Sequence, residues 1–382
     1  MMKTFPLNSR SKTTALKQPK ELYSFSRDID GEWQYDEEVL KKEALPYYYL
    51  PDNSIDSQID LGAGYSKFKK IPAEQNVADF GALLKSIIQY EKNQQEKLKS
   101  IDIITFRGIL TKLLTLPYNL KDGFEFYISG YDGQLFMKNN DEFDFQKPTS
   151  KDEYAERCEY SGYKFEAIST LPKPWSECSR STIDKRSKKV VNNYEQYISV
   201  VSSGVGQTGI LLAGEVDCVY DYIPGNSKNI SGHYVELKTS KVIEHNGQVV
   251  NFEKKLFKTW AQSFLIGIRK IIYGFRDENL ILRSVEVFKT DEIPILMKEN
   301  PINQTNPNKI VFINAIKWYG AVIEWINNEI DHNDESKSYK LSYDPGSRSL
   351  SLIEVDYETN KKLRNGDLLT QEFKAWRELI KS

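Results

Sequence analysis

GILLAGEVDCVYDYI (209–223) and, after a turn-rich link, GHYVELKTSKV (232–242) decide how this sequence is read. Both stretches are rich in β-branched and aromatic residues and are bounded by Gly, Pro and Asn, which is the pattern of strands. PGNSKNISG (224–232) carries strong turn signals, so the pair is predicted to form a hairpin. Within these strands lie acids that strands usually lack: Glu215 and Asp217 in GEVD, and Glu236, with Lys238 beside it, in ELK. Side chains two apart on a strand share a face, so each pair is predicted to point one way while Val216 and Leu237 pack on the other side. Cys218 turns away from the acids by the same alternation and reads as core rather than nucleophile. If the two strands pair, four charged groups converge on one patch of sheet.

Working outward, SGYKFEAIST (161–170), which contains Glu166, and QYISVVSSGVG (196–206) also read as strands. SSGVG is no P-loop, because no Lys-Ser/Thr follows it. Segment 79–98 places Phe80, Leu83, Leu84, Ile87 and Ile88 at helical spacing, and 101–115 reads as a helix or as a strand running into one. Helical spacing recurs in 251–275 through Leu256, Phe257, Trp260, Phe264 and Ile268, and in 309–330 through Ile316, Tyr319, Ile323 and Ile326. Strands gathered in the middle with helices around them predict an α+β or mixed-sheet α/β fold rather than a βαβ repeat. No internal repeat or long linker divides the chain, so a single domain over 1–382 is expected, with a flexible leader at 1–12.

Composition narrows the chemistry. The chain has 382 residues, 40% of them hydrophobic and 28% charged, enough to bury a core. Lys and Arg total 52 against 54 Asp and Glu, a net charge of −2, so any nucleic-acid site has to be local. Three Cys without a CxxC pair and three His point away from disulfide scaffolds and zinc sites and toward carboxylates. No apolar run approaches the ~18–20 residues of a spanning helix, and no secretory signal opens the chain, so an intracellular protein with no membrane partner is expected.

Clustered carboxylates repel one another and rise in pKa unless a cation neutralises them. A hard divalent ion does this with oxygen ligands, and two such ions can activate water and stabilise a leaving phosphate oxygen. Asp217 followed nineteen residues later by Glu-x-Lys is the spacing of metal-dependent nucleases of the D…ExK kind. Singly, an ExD is usually a solvated strand face and an ExK a surface ion pair of little worth. Together, with apolar residues on both sides of GEVD, they are harder to assign to a polar edge. Arg107 interrupts the apolar stretch TFRGILTKLL with a group matched to phosphate, although an arginine there can also snorkel. Gln262, in TWAQSFLIGI, needs partners if buried, and a substrate phosphate or a local hydrogen bond could supply them.

The ordered set TFRG (105–108), GYKFE (162–166), GEVD (214–217), ELK (236–238), TWAQ (259–262) and YGFRD (273–277) resembles the DXO family of RNA 5′-end decapping enzymes. The likeness is strongest to its fungal nuclear branch, whose members bind the nuclear 5′→3′ exoribonuclease, and it extends from about residue 13 to about residue 380. The resemblance implies two mixed β-sheets packed together with surrounding helices and an acidic pocket between them. It also implies that Glu166, Glu215, Asp217, Glu236 and the Leu237 carbonyl hold divalent metal, Mg²⁺ or Mn²⁺, as two ions. Glu215, Asp217, Glu236 and Lys238 would carry catalysis. Arg27, Phe106, Arg107, Gly108, Glu215, Lys238 and Gln262 would meet substrate. The implied activities are release of pyrophosphate from 5′-triphosphate RNA and removal of unmethylated or NAD- and FAD-type caps, with 5′→3′ exonuclease action in some members. A nuclear location and stimulation of the exoribonuclease follow from the same likeness. A non-catalytic subunit stabilising that exoribonuclease, or a metal-dependent DNA nuclease, are the competing readings.

Overall fold

The computed structural model describes residues 2–12, 15–36, 40, 45–51, 55–72, 75, 78–146, 152–225, 227 and 229–381. Two mixed sheets organise them. The first has ten strands in the order β1-β16-β15-β6-β7-β5-β10-β9-β2-β3. These are β1 (Met2–Pro6), β2 (Leu16–Arg27), β3 (Trp33–Gln34), β5 (Ile103–Phe106), β6 (Phe124–Tyr131), β7 (Gln134–Asn139), β9 (Gln196–Val205), β10 (Thr208–Glu215), β15 (Ser338–Tyr343) and β16 (Ser349–Glu354). The second has six, in the order β14-β13-β12-β11-β4-β8. They are β4 (Tyr47–Tyr48), β8 (Thr170–Leu171), β11 (Cys218–Val219), β12 (Tyr234–Lys241), β13 (Lys270–Arg276) and β14 (Leu282–Lys289). β10 is parallel to β5 and antiparallel to β9, while β12 is parallel to β13 and antiparallel to β11.

The two sheets share one core. Ile103 and Leu212 of the first sheet and Tyr234 and Ile271 of the second belong to the same buried cluster. Tyr197 of β9 and Tyr234 of β12 meet edge to face at 6.2 Å between ring centres. Seven helices build the core and frame the site: α1 (Phe80–Gln94), α2 (Arg107–Thr115), α3 (Glu153–Ile168), α4 (Arg180–Lys185), α5 (Asn246–Ile266), α6 (Phe312–Glu329) and α7 (Gln371–Lys381). α2, α5 and α6 contribute Leu110, Trp260 and Trp318 to the shared core, as their 3.6-residue periodicity requires. α1 and α7 cover the opposite face of the ten-stranded sheet, where Leu84, Ile87 and Phe373 pack on Ile104 and Leu211.

The architecture agrees with the expected mixed sheets and flanking helices, and three local expectations are corrected. GILLAGEVDCVYDYI is two strands rather than one, and only its second part forms the expected antiparallel pair across the turn-rich link. β10 stops at Glu215 and stays in the first sheet, and only Cys218–Val219 crosses over to pair with Val235 and Tyr234. Segment 161–170 is not a strand; it is the last turns of α3, leading into β8. That helix starts well upstream, where the Asp152 carboxylate accepts the Ala155 N–H at 2.7 Å. Its buried residues Tyr160, Lys164, Phe165 and Ile168 recur at helical spacing. Finally, the leader is no loose tail. Met2–Pro6 is an edge strand paired antiparallel with β16, and Phe5 stacks on Trp325 at 4.9 Å.

Candidate active site

The break between Glu215 and Cys218 makes the site. Because the chain leaves one sheet and enters the other there, Glu215 ends a strand of the first, Asp217 stands in the crossing, and Glu236 and Lys238 lie on β12 of the second. Val216 and Leu237 are buried in the core, as the alternation predicts. α3, running beside β12, adds Glu166 from its last turn. Four acids from two sheets and one helix therefore converge between the sheets rather than on one sheet face.

Glu236 is the centre of the arrangement and is 1% exposed. Its Oε1 lies 2.6 Å from the Lys238 ammonium and its Oε2 3.0 Å from Arg107 Nη1. The Leu237 N–H donates to Asp217 Oδ2 at 2.6 Å, which ties the crossing to β12. Lys238 also donates to the Leu237 carbonyl at 3.1 Å and stands 3.8 Å from Asp217 Oδ2. The ammonium is thus surrounded by oxygens of Glu236, Leu237 and Asp217.

The electrostatics follow from burial and an excess of acid. Burial pushes the Asp217 carboxyl up to about 7, with Glu236 and Glu215 adding to the rise and Lys238 opposing it. Burial and Asp217 push Glu166 well above its ordinary value. Burial also raises Glu215, with Arg107 and Lys238 opposing. Glu236 goes the other way: burial would raise it, but Arg107 and Lys238 together hold it below its usual value. The Lys238 ammonium is disfavoured by burial and more than compensated by Glu236, Asp217 and Glu166, so its pKa rises.

The other expected residues divide into two groups. Arg107 is 9% exposed and opens α2, reaching back over β10. Gly214 permits this, because a Cβ there would stand 3.1 Å from both Cβ and Cδ of Arg107. Arg27 ends β2; its Nε donates to the Tyr194 carbonyl at 2.9 Å, its guanidinium lies 5.4 Å from the Trp33 ring centre, and Glu215 is the acid that most favours its charge against burial. Phe106 packs edge-on against Phe80 at 5.9 Å, and Gly108 is exposed in the first turn of α2 with open space where a Cβ would go. Gln262 is half-buried on α5, and among the described residues no hydrogen bond joins its amide to the acids.

Two cavities flank this centre. The first, of about 510 Å³, is lined by Glu166, Glu215 and Asp217 and also by Lys185, Arg186 and Lys189. The second, of about 610 Å³, is walled by Arg27, Trp33, Phe80, Asp79, Tyr194 and Lys138 among others. The basic run KRSKK (185–189) is a residue set that the sequence reading does not single out, although a run of like charge is a visible signal.

The donor chemistry suits a hard divalent ion. Four carboxylates and one carbonyl offer only oxygen, and the two cations that touch them leave net negative charge. Among the described residues no three acid, His or Cys side chains stand together as a ready cage. Lys238 and Arg107 each contact one oxygen of Glu236. Each of these oxygens keeps a further lone pair, so Lys238 and Arg107 can stay in place beside a bound ion.

Known proteins match this chain along its length. The family described as RAI1-like PD-(D/E)XK nuclease matches residues 17–374. The decapping nuclease RAI1 of Debaryomyces hansenii is 64% identical over 385 residues, spanning 99% of this chain and 98% of its own. The crystal structure of Candida albicans Rai1 in complex with pU5 and Mn²⁺ superposes with a TM-score of 0.95 at 56% identity, covering 100% of both chains. That of Scheffersomyces stipitis Rai1 with (3′-NADP)⁺ and calcium gives 0.92 at 55% identity, covering 98% and 99%. The D…ExK spacing, its assembly across the break between two sheets and these full-length matches have one reading: the chain belongs to the RAI1-like PD-(D/E)XK nuclease family.

Proposed function

We propose that this chain is a divalent-metal-dependent decapping nuclease of RNA 5′ ends, active in the nucleus. It removes pyrophosphate from 5′-triphosphate RNA and takes off unmethylated or NAD- and FAD-type caps, and it stimulates a nuclear 5′→3′ exoribonuclease. The observation that carries the reading is the set Glu215, Asp217, Glu236 and Lys238, gathered around the buried Glu236 from both sheets and the crossing between them, with more acid than base. Support comes from relatives whose crystal structures hold pU5 with Mn²⁺, and (3′-NADP)⁺ with calcium.

Glu166, Glu215, Asp217, Glu236 and the Leu237 carbonyl would hold Mg²⁺ or Mn²⁺, as two ions. Bound there, the metal would supply a nucleophilic water and neutralise charge on the leaving oxygen. The chain's own residues do the rest. Arg107, fixed across Gly214, presents a guanidinium to the reacting phosphate, and Arg27 lies on the side of the second cavity. The Lys238 ammonium, a third exposed, would pair with phosphate together with Gln262. Phe106 and Gly108 line the approach, the exposed glycine allowing close contact with the backbone N–H groups of α2. Burial of Glu236 at the floor of the site strengthens its pairing with these cations.

The test is product analysis on one RNA bearing, in turn, a triphosphate, an unmethylated cap, a methylated cap and an NAD cap. Asp217→Ala and Glu236→Ala are expected to lose more than about 100-fold in rate on every substrate that the wild type cleaves. Full activity in a chelator, or in both variants, refutes the reading. Stimulation of the exoribonuclease by Asp217→Ala tells whether that role is independent of catalysis.

A further inference from the structure

The first cavity carries a feature that the acid chemistry leaves unused. Besides Glu166, Glu215 and Asp217, it is lined by Thr182, Lys185, Arg186 and Lys189. The three cations differ in what they do. Arg186 is committed to structure: its Nε donates to the Ile168 carbonyl at 2.9 Å, its Nη1 to Ile183 at 2.6 Å, and its guanidinium packs over Tyr49 at 5.3 Å. Lys185 and Lys189 are exposed, and Lys189 is held only loosely by Glu195, at 3.6 Å. The segment that carries them is nevertheless rigidly placed. Lys164, 4% exposed on α3, donates its ammonium to the Ser187 carbonyl at 2.6 Å. Lys164 and Arg186 thus bind the basic segment to the same last turn of α3 that presents Glu166.

A polyanion whose end lies among acids needs compensating charge where its chain leaves them. Resting on the functional reading above, we propose that Lys185 and Lys189 are positioning residues for the RNA body. They hold backbone phosphates of the chain 3′ of the reacting phosphate and set its distance from the acids through the shared anchor on α3. Bases are not read, because an ammonium on a flexible stem recognises phosphate as a point charge.

The experiment compares two triphosphate substrates, a single-stranded RNA of twenty nucleotides and a nucleoside triphosphate, which has no backbone phosphate 3′ of the reacting one. In Lys185→Ser/Lys189→Ser the ratio of kcat/KM for the long to the short substrate is expected to fall roughly tenfold, through KM. The slope of log kcat/KM against log salt on the long RNA should flatten by about 1.4, or about 0.7 for each lost phosphate contact to a single strand. Glu195→Gln, which releases Lys189 and removes a repelling charge, should move the ratio the other way. Binding of the same twenty-nucleotide RNA in chelator, followed by fluorescence anisotropy, should weaken with the double variant. An unchanged ratio and slope overturn the proposal. So does an intact ratio with lost stimulation of the exoribonuclease, which would assign the lysines to a protein contact. If the wild type releases no pyrophosphate from either substrate, the functional reading itself fails and this one falls with it.

Discussion

Two buried ion pairs of nearly equal geometry should respond to mutation to very different extents. Arg107 meets Glu236 at 3.0 Å, and Arg377 meets Glu91 at 2.9 Å with both side chains fully buried. Around Glu91 the charges balance. Arg377 also donates to Asp132 at 3.0 Å and to Gln134 at 2.9 Å, while Lys97 and Lys381 complete the neutralisation of Asp132. Arg377→Met leaves Glu91 buried with only the Leu98 N–H and the Trp376 indole as donors. Breaking such a pair costs about 4 kcal/mol, or roughly 5 °C in Tm for a chain of this length. Around Glu236 acid is in excess, so when Glu236→Gln removes its charge, Arg107 and Lys238 still face Glu215, Asp217 and Glu166. The remaining cost is one amide NH₂ facing Arg107 or Lys238, about 1 kcal/mol. Urea denaturation in chelator measures both. Saturating Mn²⁺, at about 100 times its Kd, should then stabilise the wild type by about 2.7 kcal/mol and Glu236→Gln far less. If Glu236→Gln costs as much as Arg377→Met in chelator, the acid excess inferred from the contacts is refuted.

Other expectations are as direct. Burial would raise the Asp132 carboxyl, but hydrogen bonds from Lys97 and Arg377 hold it below its ordinary 3.8. Its contribution to stability is therefore present above about pH 4 and lost as pH falls through the depressed value, and Lys97→Met should flatten that acid limb in melts between pH 5 and 2. Gly274→Ala places a Cβ 2.6 Å from the Phe165 ring; an overpacking cost of about 1–3 kcal/mol is expected, with a fall in kcat because Glu166 is the next residue. A wild-type kcat in Gly274→Ala would show that α3 does not need that contact. Phe5→Ala, which removes a ring stacked on Trp325 and tilted over Trp318, should cost roughly 2 kcal/mol; an unchanged Tm would mean that β1 holds through its backbone alone.

The site was more legible than the topology around it. Acids in apolar strand-like surroundings marked GEVD and ELK, and alternation placed Val216 and Leu237 in the core. Glu166 was found through a motif but set on the wrong element. A ten-residue window over the end of α3 shows aromatic residues and no cap, since Asp152 lies nine residues before it begins. The leader was misjudged because β1 is exposed along most of its length and owes its place to β16, some 350 residues away. The tight fit of Gly274 against Phe165 was equally invisible, since nothing local says what a glycine makes room for.

By itself the sequence determined the class of chemistry: too few His and Cys for imidazole or thiolate work, and carboxylates with one lysine at a spacing that suits metal-assisted attack on phosphate. It also determined which segments are helices wherever an apolar stripe runs for several turns, because that periodicity is local. Only the tertiary structure decided that GEVD and ELK belong to different sheets. Strand partners are chosen by contacts between residues far apart in sequence: the turn-rich link does join antiparallel β11 and β12, but nothing local shows that the chain has already changed sheets between Glu215 and Cys218. That crossing at Val216 and Asp217 brings acids from both sheets, and Arg107 from a third element, to one buried point. There the low dielectric gives their charges the strength that the sequence could name but not locate.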